Sequence, residues 1–243
     1  MKLLTHIGNK TAKWDPWFGC FQISEACQNC YIQCLNNFED KFYPLNTKGI
    51  EEGTLIGVAL HTDFFIENAD HLRDAAWQVI RDNPHLIFEI YTKRVERIMD
   101  CVPDDWGDGY DNVVFCVTTE NQKRADQRIP VLIEKVRCKH KWLNCAPLLE
   151  DIDIKHYLET GCIESVTTSG ERKINGSGRE LRFEWLKNLS NQCRDTGTHF
   201  EVMFLGSRFV DGSNRINDSF PCFRSPFANQ LNLNNNIPIK FNI

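Results

Sequence analysis

Seven short apolar runs, separated by stretches of helical spacing and by loops, constrain the fold of this 243-residue chain more than any other feature. They are Lys2–Ile7, Thr54–Leu60, His85–Tyr91, Asn112–Val117, Lys141–Cys145, Cys162–Val166 and His199–Leu205. Continuous apolar runs of this length are those of strands buried on both faces. Helical spacing recurs between them over Glu25–Phe38, Asn68–Arg81, Arg94–Asp100, Gln122–Val136, Ile152–Leu158 and Leu181–Cys193. Ser24 is the expected N-cap of the first helix, and Pro130 is expected to bend or divide the fourth. Alternating strands and helices imply βαβ units with right-handed crossovers and a parallel sheet. No glycine-rich phosphate loop follows the first run. The expected fold is therefore α/β, a partial or complete parallel (β/α) barrel and not a dinucleotide fold. Residues 1–208 make the barrel; the Asn-rich residues 209–243 lack periodicity and read as an extension packed over one end.

In such a sheet chemistry collects at the carboxyl ends of the strands. Polar residues do follow the apolar runs: His61, Thr62 and Asp63; Thr92, Lys93 and Arg94; Thr118, Thr119, Glu120 and Asn121; Asn144 and Cys145; and Thr167 to Glu171. Singly each is also a plausible helix cap. Together they describe one rim.

The first connection carries the densest chemistry. Trp14 to Tyr31 reads W-D-P-W-F-G-C-F-Q-I-S-E-A-C-Q-N-C-Y, with Cys20, Cys27 and Cys30 inside eleven residues. Three thiolates this close can hold three irons of a [4Fe–4S] cluster and leave the fourth iron open, whereas clusters are usually held by four. They can equally hold zinc, given a fourth ligand such as His6 or Cys34. Spacing leaves both open. Trp14 and Trp17 either shield this loop or pack the rim, as partly buried Trp commonly does.

Composition narrows the classes. Hydrophobic residues make up 42% and charged residues 25%, ordinary values for a globular chain. No apolar run approaches the roughly 20 residues that span a bilayer, and MKLLTHIGNK is too short an apolar stretch for a signal peptide. A cytoplasmic protein is expected. Eleven cysteines then point to reduced thiols and not to a disulfide framework. Cys101, Cys116, Cys138, Cys162, Cys193 and Cys222 lack motif spacing and read as small buried hydrophobes. A net charge of −5 argues against tight non-specific duplex binding.

A three-cysteine loop ahead of a parallel (β/α) barrel resembles the radical S-adenosylmethionine superfamily. The usual spacing there is C-x-x-x-C-x-x-C, and here it is C-x-x-x-x-x-x-C-x-x-C. The longer spacing, preceded by W-D-P-W-F-G, resembles a phage-associated branch. The likeness continues through Thr92-Lys93-Arg94, Thr119-Glu120-Asn121-Gln122, Arg124-Ala125-Asp126, Arg128-Ile129-Pro130, Pro147-Leu148-Leu149 and Ser169-Gly170-Glu171, covering roughly residues 12–205. It implies that Cys20, Cys27 and Cys30 bind a [4Fe–4S] cluster whose open iron chelates S-adenosylmethionine. It implies that Thr62 and Asp63 hold the methionine amino group, although the usual glycine-glycine-glutamate is absent. Thr119 and Glu120 match the ribose contact, and Ser169, Gly170 and Glu171 a turn near the cofactor. Thr168-Ser169 and Ala146 stand where relatives have a glycine pair and a glutamate, so a different substrate pocket is implied.

The implied chemistry is one-electron cleavage of the sulfonium to methionine and a 5′-deoxyadenosyl radical, which abstracts hydrogen from an unactivated carbon. The cofactor does the hard chemistry, while the protein supplies position and shielding. The resemblance further implies an isomerase of phage DNA hypermodification, converting an N-linked to a C-linked glycyl adduct on thymidine and protecting viral DNA from host restriction. Lys93, Arg94 and Asn144 are the expected substrate contacts, with Arg172 a weaker one that surface solvation explains as well. DNA or nucleotide would be the substrate, flipped out if in duplex, and a flavodoxin or ferredoxin the electron donor. The alternatives are another radical nucleotide or tRNA modification, and a zinc-stabilised nucleic-acid-binding module.

Overall fold

A computed structural model describes residues 1–5, 12–30, 32, 37–172, 178–212, 214–216, 231–235 and 237–243. Its centre is a curled, open sheet of seven parallel strands that forms a half-barrel. The strands, each beside the next, are β2 (Ala12–Trp14), β3 (Leu55–Val58), β4 (Ile87–Thr92), β5 (Val113–Thr118), β6 (His140–Cys145), β7 (Ser165–Ser169) and β9 (His199–Phe204). The expected partial barrel is thus present, and its order follows the chain.

One strand assignment needs correction. The run Lys2–Ile7 is not the first barrel strand. Its described part, β1 (Lys2–Leu4), pairs antiparallel with β12 (Ile239–Phe241) outside the large sheet. The barrel opens instead with Ala12-Lys13-Trp14, a tripeptide too short to stand out as an apolar run.

Every residue of β4 and β5 is buried, as expected of strands covered on both faces. Alternation sends Ile56, Phe88, Ile90, Phe115, Val117, Leu143, Val166 and Phe200 to the outer face. There they share one core with Trp77 and Ile80 of α1 (Arg73–Asp82), Ile129 and Leu132 of α2 (Gln122–Glu134), and Leu186 and Leu189 of α4 (Phe183–Thr196). A third helix, α3, is a single turn at Lys155–Leu158. Pro130 lies inside α2 without dividing it. Gly197, at φ +71°, closes α4 in the left-handed conformation that lets a helix end cleanly.

The inner face differs from end to end. At its amino end Leu55, Ile87, Tyr91, Val114, Cys116 and Trp142 form a second core with Ile239 and Phe241 of β12. Nearer the carboxyl end, register aligns Thr118 with Asn144, Asn144 with Thr167, and Thr167 with Glu201, a polar row across four strands.

Three further expectations shift. Strand β7 begins at Ser165 and runs to Ser169, later than Cys162–Val166, because Thr167, Thr168 and Ser169 are strand residues with buried hydroxyls. Residues 209–243 are not wholly irregular. Short strand β8 (Leu181–Arg182) pairs parallel with β10 (Phe209–Asp211), which pairs antiparallel with β11 (Asn214–Ile216). The described end of the extension, β12, packs at the amino end of the barrel. The helix expected over Glu25–Phe38 is instead a 3₁₀ turn at Glu25–Asn29 ending at extended Cys30; residues 31 and 33–36, with Cys34, lie outside the described residues, as do His6 and Cys222. No helix among the described residues is long and apolar enough to cross a membrane.

Candidate functional site

The cysteine loop leaves β2 at the carboxyl rim. Its approach is set by Gly19, whose φ of +97° suits glycine, and where a Cβ would lie 2.1 Å from the Asn37 carbonyl oxygen. Gly19 bridges to Thr62 in parallel fashion, and the Thr62 hydroxyl donates to the Gly19 carbonyl at 2.5 Å. Cys20 is thereby fixed beside the end of β3. Ser24 takes the expected N-cap position without capping through its side chain; its hydroxyl lies 3.7 Å from Cys27 Sγ. Within the 3₁₀ turn the Cys30 amide donates to the Cys27 carbonyl.

From Glu25 onward the loop is tied across the mouth of the half-barrel. Glu25 takes a forked pair from Arg124 of α2, at 2.8 and 3.1 Å. Hydrogen bonds from Arg124 hold its carboxyl down at about 2. Asn29 donates to Glu171 at 2.9 Å, after β7. Arg179 grips the same Glu171 through Nε, Nη2 and its amide, and also donates to the Glu25 carbonyl. Burial pushes Glu171 up, but Arg179 and Asn29 outweigh it and hold the carboxyl below its usual range. The turn is tight: a Cβ on Gly170 would lie 2.2 Å from the Leu205 carbonyl oxygen.

Asp63 organises the opposite side. One carboxylate oxygen accepts from Thr92 Oγ1 at 2.8 Å and the Phe65 amide at 3.0 Å. The other accepts from the Lys93 amide at 2.9 Å and pairs with Arg94 at 3.2 Å. Arg94 continues to Glu67 at 3.3 Å, to the Phe21 carbonyl at 3.4 Å, and to Cys20 Sγ at 3.9 Å. Burial, followed by the Asp63 charge, pushes the Cys20 thiol up to about 11, with Arg94 and Lys93 opposing. Metal binding must therefore displace the proton, as thiolate ligation generally does.

The remaining expected residues divide. Glu120 is fully buried and pairs with Arg128 at 2.7 Å. Burial raises its carboxyl, but Arg128, Lys93 and Ser24 together bring it below the ordinary value. Thr119 turns its hydroxyl to Cys145, 3.2 Å away. Ser169 accepts the Leu148 amide through its carbonyl. Asn144 lies in the inner polar row, where Thr167 donates to it at 3.1 Å. Among the three basic residues expected to meet an anion, Arg94 is committed to Asp63 and Glu67, and Arg172 lies over the Phe204 ring at 5.2 Å. The Lys93 ammonium makes no hydrogen bond or ion pair among the described residues. Trp14 and Trp17 are core packing: Trp17 is fully buried under Asp63, donating to its carbonyl at 3.3 Å.

Among the described residues no three Cys, His, Asp or Glu side chains converge at metal-ligand distance. Cys20, Cys27 and Cys30 nevertheless all lie on one loop, as three soft donors of the kind that hold iron–sulfur clusters or zinc. Sequence reasoning missed Asn29, Arg179 and the Asp15 carboxylate, which holds the His61 amide and ring at 2.8 and 2.7 Å. Only the W-D-P motif offered a signal, for Asp15; no periodicity marks Arg179 as a partner of Glu171.

Fold and site together define a parallel α/β half-barrel with a three-cysteine loop lashed across its carboxyl rim. The chain belongs to the DUF5131 family, described as a protein of unknown function, whose model matches residues 39–218 and so begins after the cysteines. None of the curated proteins and none of the solved structures matches it.

Proposed function

We propose that this chain is a radical S-adenosylmethionine enzyme that rearranges a modified nucleobase. The observation that supports this most directly is the cysteine loop at the carboxyl rim of a parallel half-barrel, held there by residues that follow β3, β4, β5 and β7. Cys20, Cys27 and Cys30 would each hold one iron of a [4Fe–4S] cluster. Loaded with S-adenosylmethionine and reduced, that cluster supplies a 5′-deoxyadenosyl radical able to take hydrogen from carbon.

The protein's own contribution is placement and exclusion of water. Thr62 and Asp63 brace the loop on the side of the expected methionine amino group; Thr119 and Glu120 stand at the ribose position; Ser169, Gly170 and Glu171 form the opposing turn. Lys93 is suited to a substrate carboxylate or phosphate, because its ammonium makes no hydrogen bond or ion pair among the described residues and already favours the anionic form of nearby Glu120. Asn144, in the inner polar row, reads a substrate hydrogen-bonding group. Burial of the amino end by Phe241, Trp142 and their neighbours keeps bulk water from that side.

The substrate reading follows the resemblance: a thymidine carrying an N-linked glycyl group, isomerised to the C-linked form in phage DNA hypermodification that evades host restriction. The enzyme would work in the host cytoplasm with a flavodoxin or ferredoxin as donor. Anaerobic reconstitution tests the first part. About four irons per chain and 5′-deoxyadenosine on reduction are expected; a colourless zinc protein, or intact S-adenosylmethionine, overturns it. For the second part, adduct-bearing DNA should yield a product of unchanged mass and altered retention. Activity only on another nucleotide or a tRNA would redirect the substrate assignment.

A further inference from the structure

We propose that Arg94 is a positioning residue for Cys20, placing a positive charge beside its thiolate and making the bound cluster easier to reduce. This rests on the three-cysteine reading above. The observations concern the chain's own atoms. Arg94 is only 6% exposed, and burying a guanidinium is costly unless every edge of it is used. Two edges meet acids, Asp63 at 3.2 Å and Glu67 at 3.3 Å. The rest faces the cysteine loop, with Nη2 donating to the Phe21 carbonyl and Nη1 lying 3.9 Å from Cys20 Sγ.

The arrangement is directed, not incidental. Thr92 receives the Arg94 amide at 2.8 Å and itself donates to Asp63, so backbone and side chain are set by one network. Gly19 and Thr62 fix Cys20 from the other side. Cys27 faces the neutral Ser24 hydroxyl, and the charge it shares a field with, Arg124, is engaged by Glu25. A buried ion pair with Asp63 is by itself weak evidence of a stabilising role. The contact with sulfur is what a stabilising role leaves unexplained. Hydrogen bonds and positive charge at cluster sulfurs favour the reduced, more negative state.

The test is the midpoint potential of reconstituted wild-type, R94Q, R94K and E67Q proteins, followed spectroscopically during an anaerobic titration, with iron content and thermal unfolding in parallel. R94Q should lower the reduced-to-oxidised ratio at a fixed potential about tenfold, which for one electron is about 59 mV. R94K, which keeps the charge, should recover most of that shift even if its unfolding temperature falls with that of R94Q. E67Q, a change at a mostly exposed carboxylate, removes an acid that offsets Arg94 and should shift the potential the other way. Equal potentials in wild type and R94Q, or R94K as shifted as R94Q, or no upward shift in E67Q, overturn the assignment of Arg94 alone. A wild-type protein that takes up no cluster overturns the cysteine reading, and Arg94 with it.

Discussion

The two ends of the half-barrel are closed by opposite physics. At the amino end, β1 and β12 cover the inner face with apolar side chains: Ile239 and Phe241 join Leu55, Ile87, Val114 and Trp142. At the carboxyl end a polypeptide loop is held by carboxylates, guanidinium groups and amides: Glu25 with Arg124, Asn29 and Arg179 with Glu171, Arg94 with Asp63. Apolar closure is insensitive to pH and lacks directional demands. Closure by charged hydrogen bonds fixes particular atoms in space and responds to protonation. The first suits a floor and the second suits a site.

Breaking this contrast should give effects of very different kinds. The largest belongs to the thiols: C20A, C27A or C30A should each abolish cluster assembly and S-adenosylmethionine cleavage with little change in unfolding temperature, read by iron analysis and product chromatography. F241A should do the reverse. Phe241 is fully buried against the His140 ring at 4.2 Å and the Trp142 ring at 6.1 Å. Its truncation should cost about 3–5 kcal/mol in denaturant unfolding, while the folded fraction still loads iron.

Smaller changes sharpen the comparison at the rim. G19A forces a left-handed φ on alanine and a clash with the Asn37 carbonyl, costing about 1–3 kcal/mol; iron uptake should fall more steeply than unfolding temperature. R179M removes one of two holders of Glu171, and a loss of about 1 kcal/mol is expected, with the cysteine loop showing faster amide exchange than β12. The mildest test is acid. Glu25 titrates at about 2 against an ordinary 4.5. Its tether is therefore full above about 4.5 and is lost as pH falls toward 2. Exchange should quicken in the loop across that window by more than it does around Phe241, whose neighbours His140 and Trp142 hydrogen-bond to Glu164. Parallel loss at both ends would refute the division of labour.

The chain's own pattern was enough to determine the class of fold, because strands buried on both faces have to be written as continuous apolar runs such as Val113–Val117, wherever they pair. It also marked the residues of the carboxyl rim, since Asp63 and Glu120 come within three positions of the ends of those runs. Pairing is another matter. Leu3 and Leu4 could serve in either sheet, and only Ile239–Phe241, more than two hundred residues away, decided that this segment pairs at the floor and is not a barrel strand. Over Glu25–Asn29 the helix expected after Ser24 gave way to a 3₁₀ turn, pinned by Arg124 of α2 and by Glu171 beyond β7. Arg94 looked like a hand held out to substrate; tertiary structure turned it toward Asp63, Glu67 and Cys20. A residue's type and spacing state what it can bind, but the direction in which a long side chain points is chosen by the charges that the fold brings within its reach.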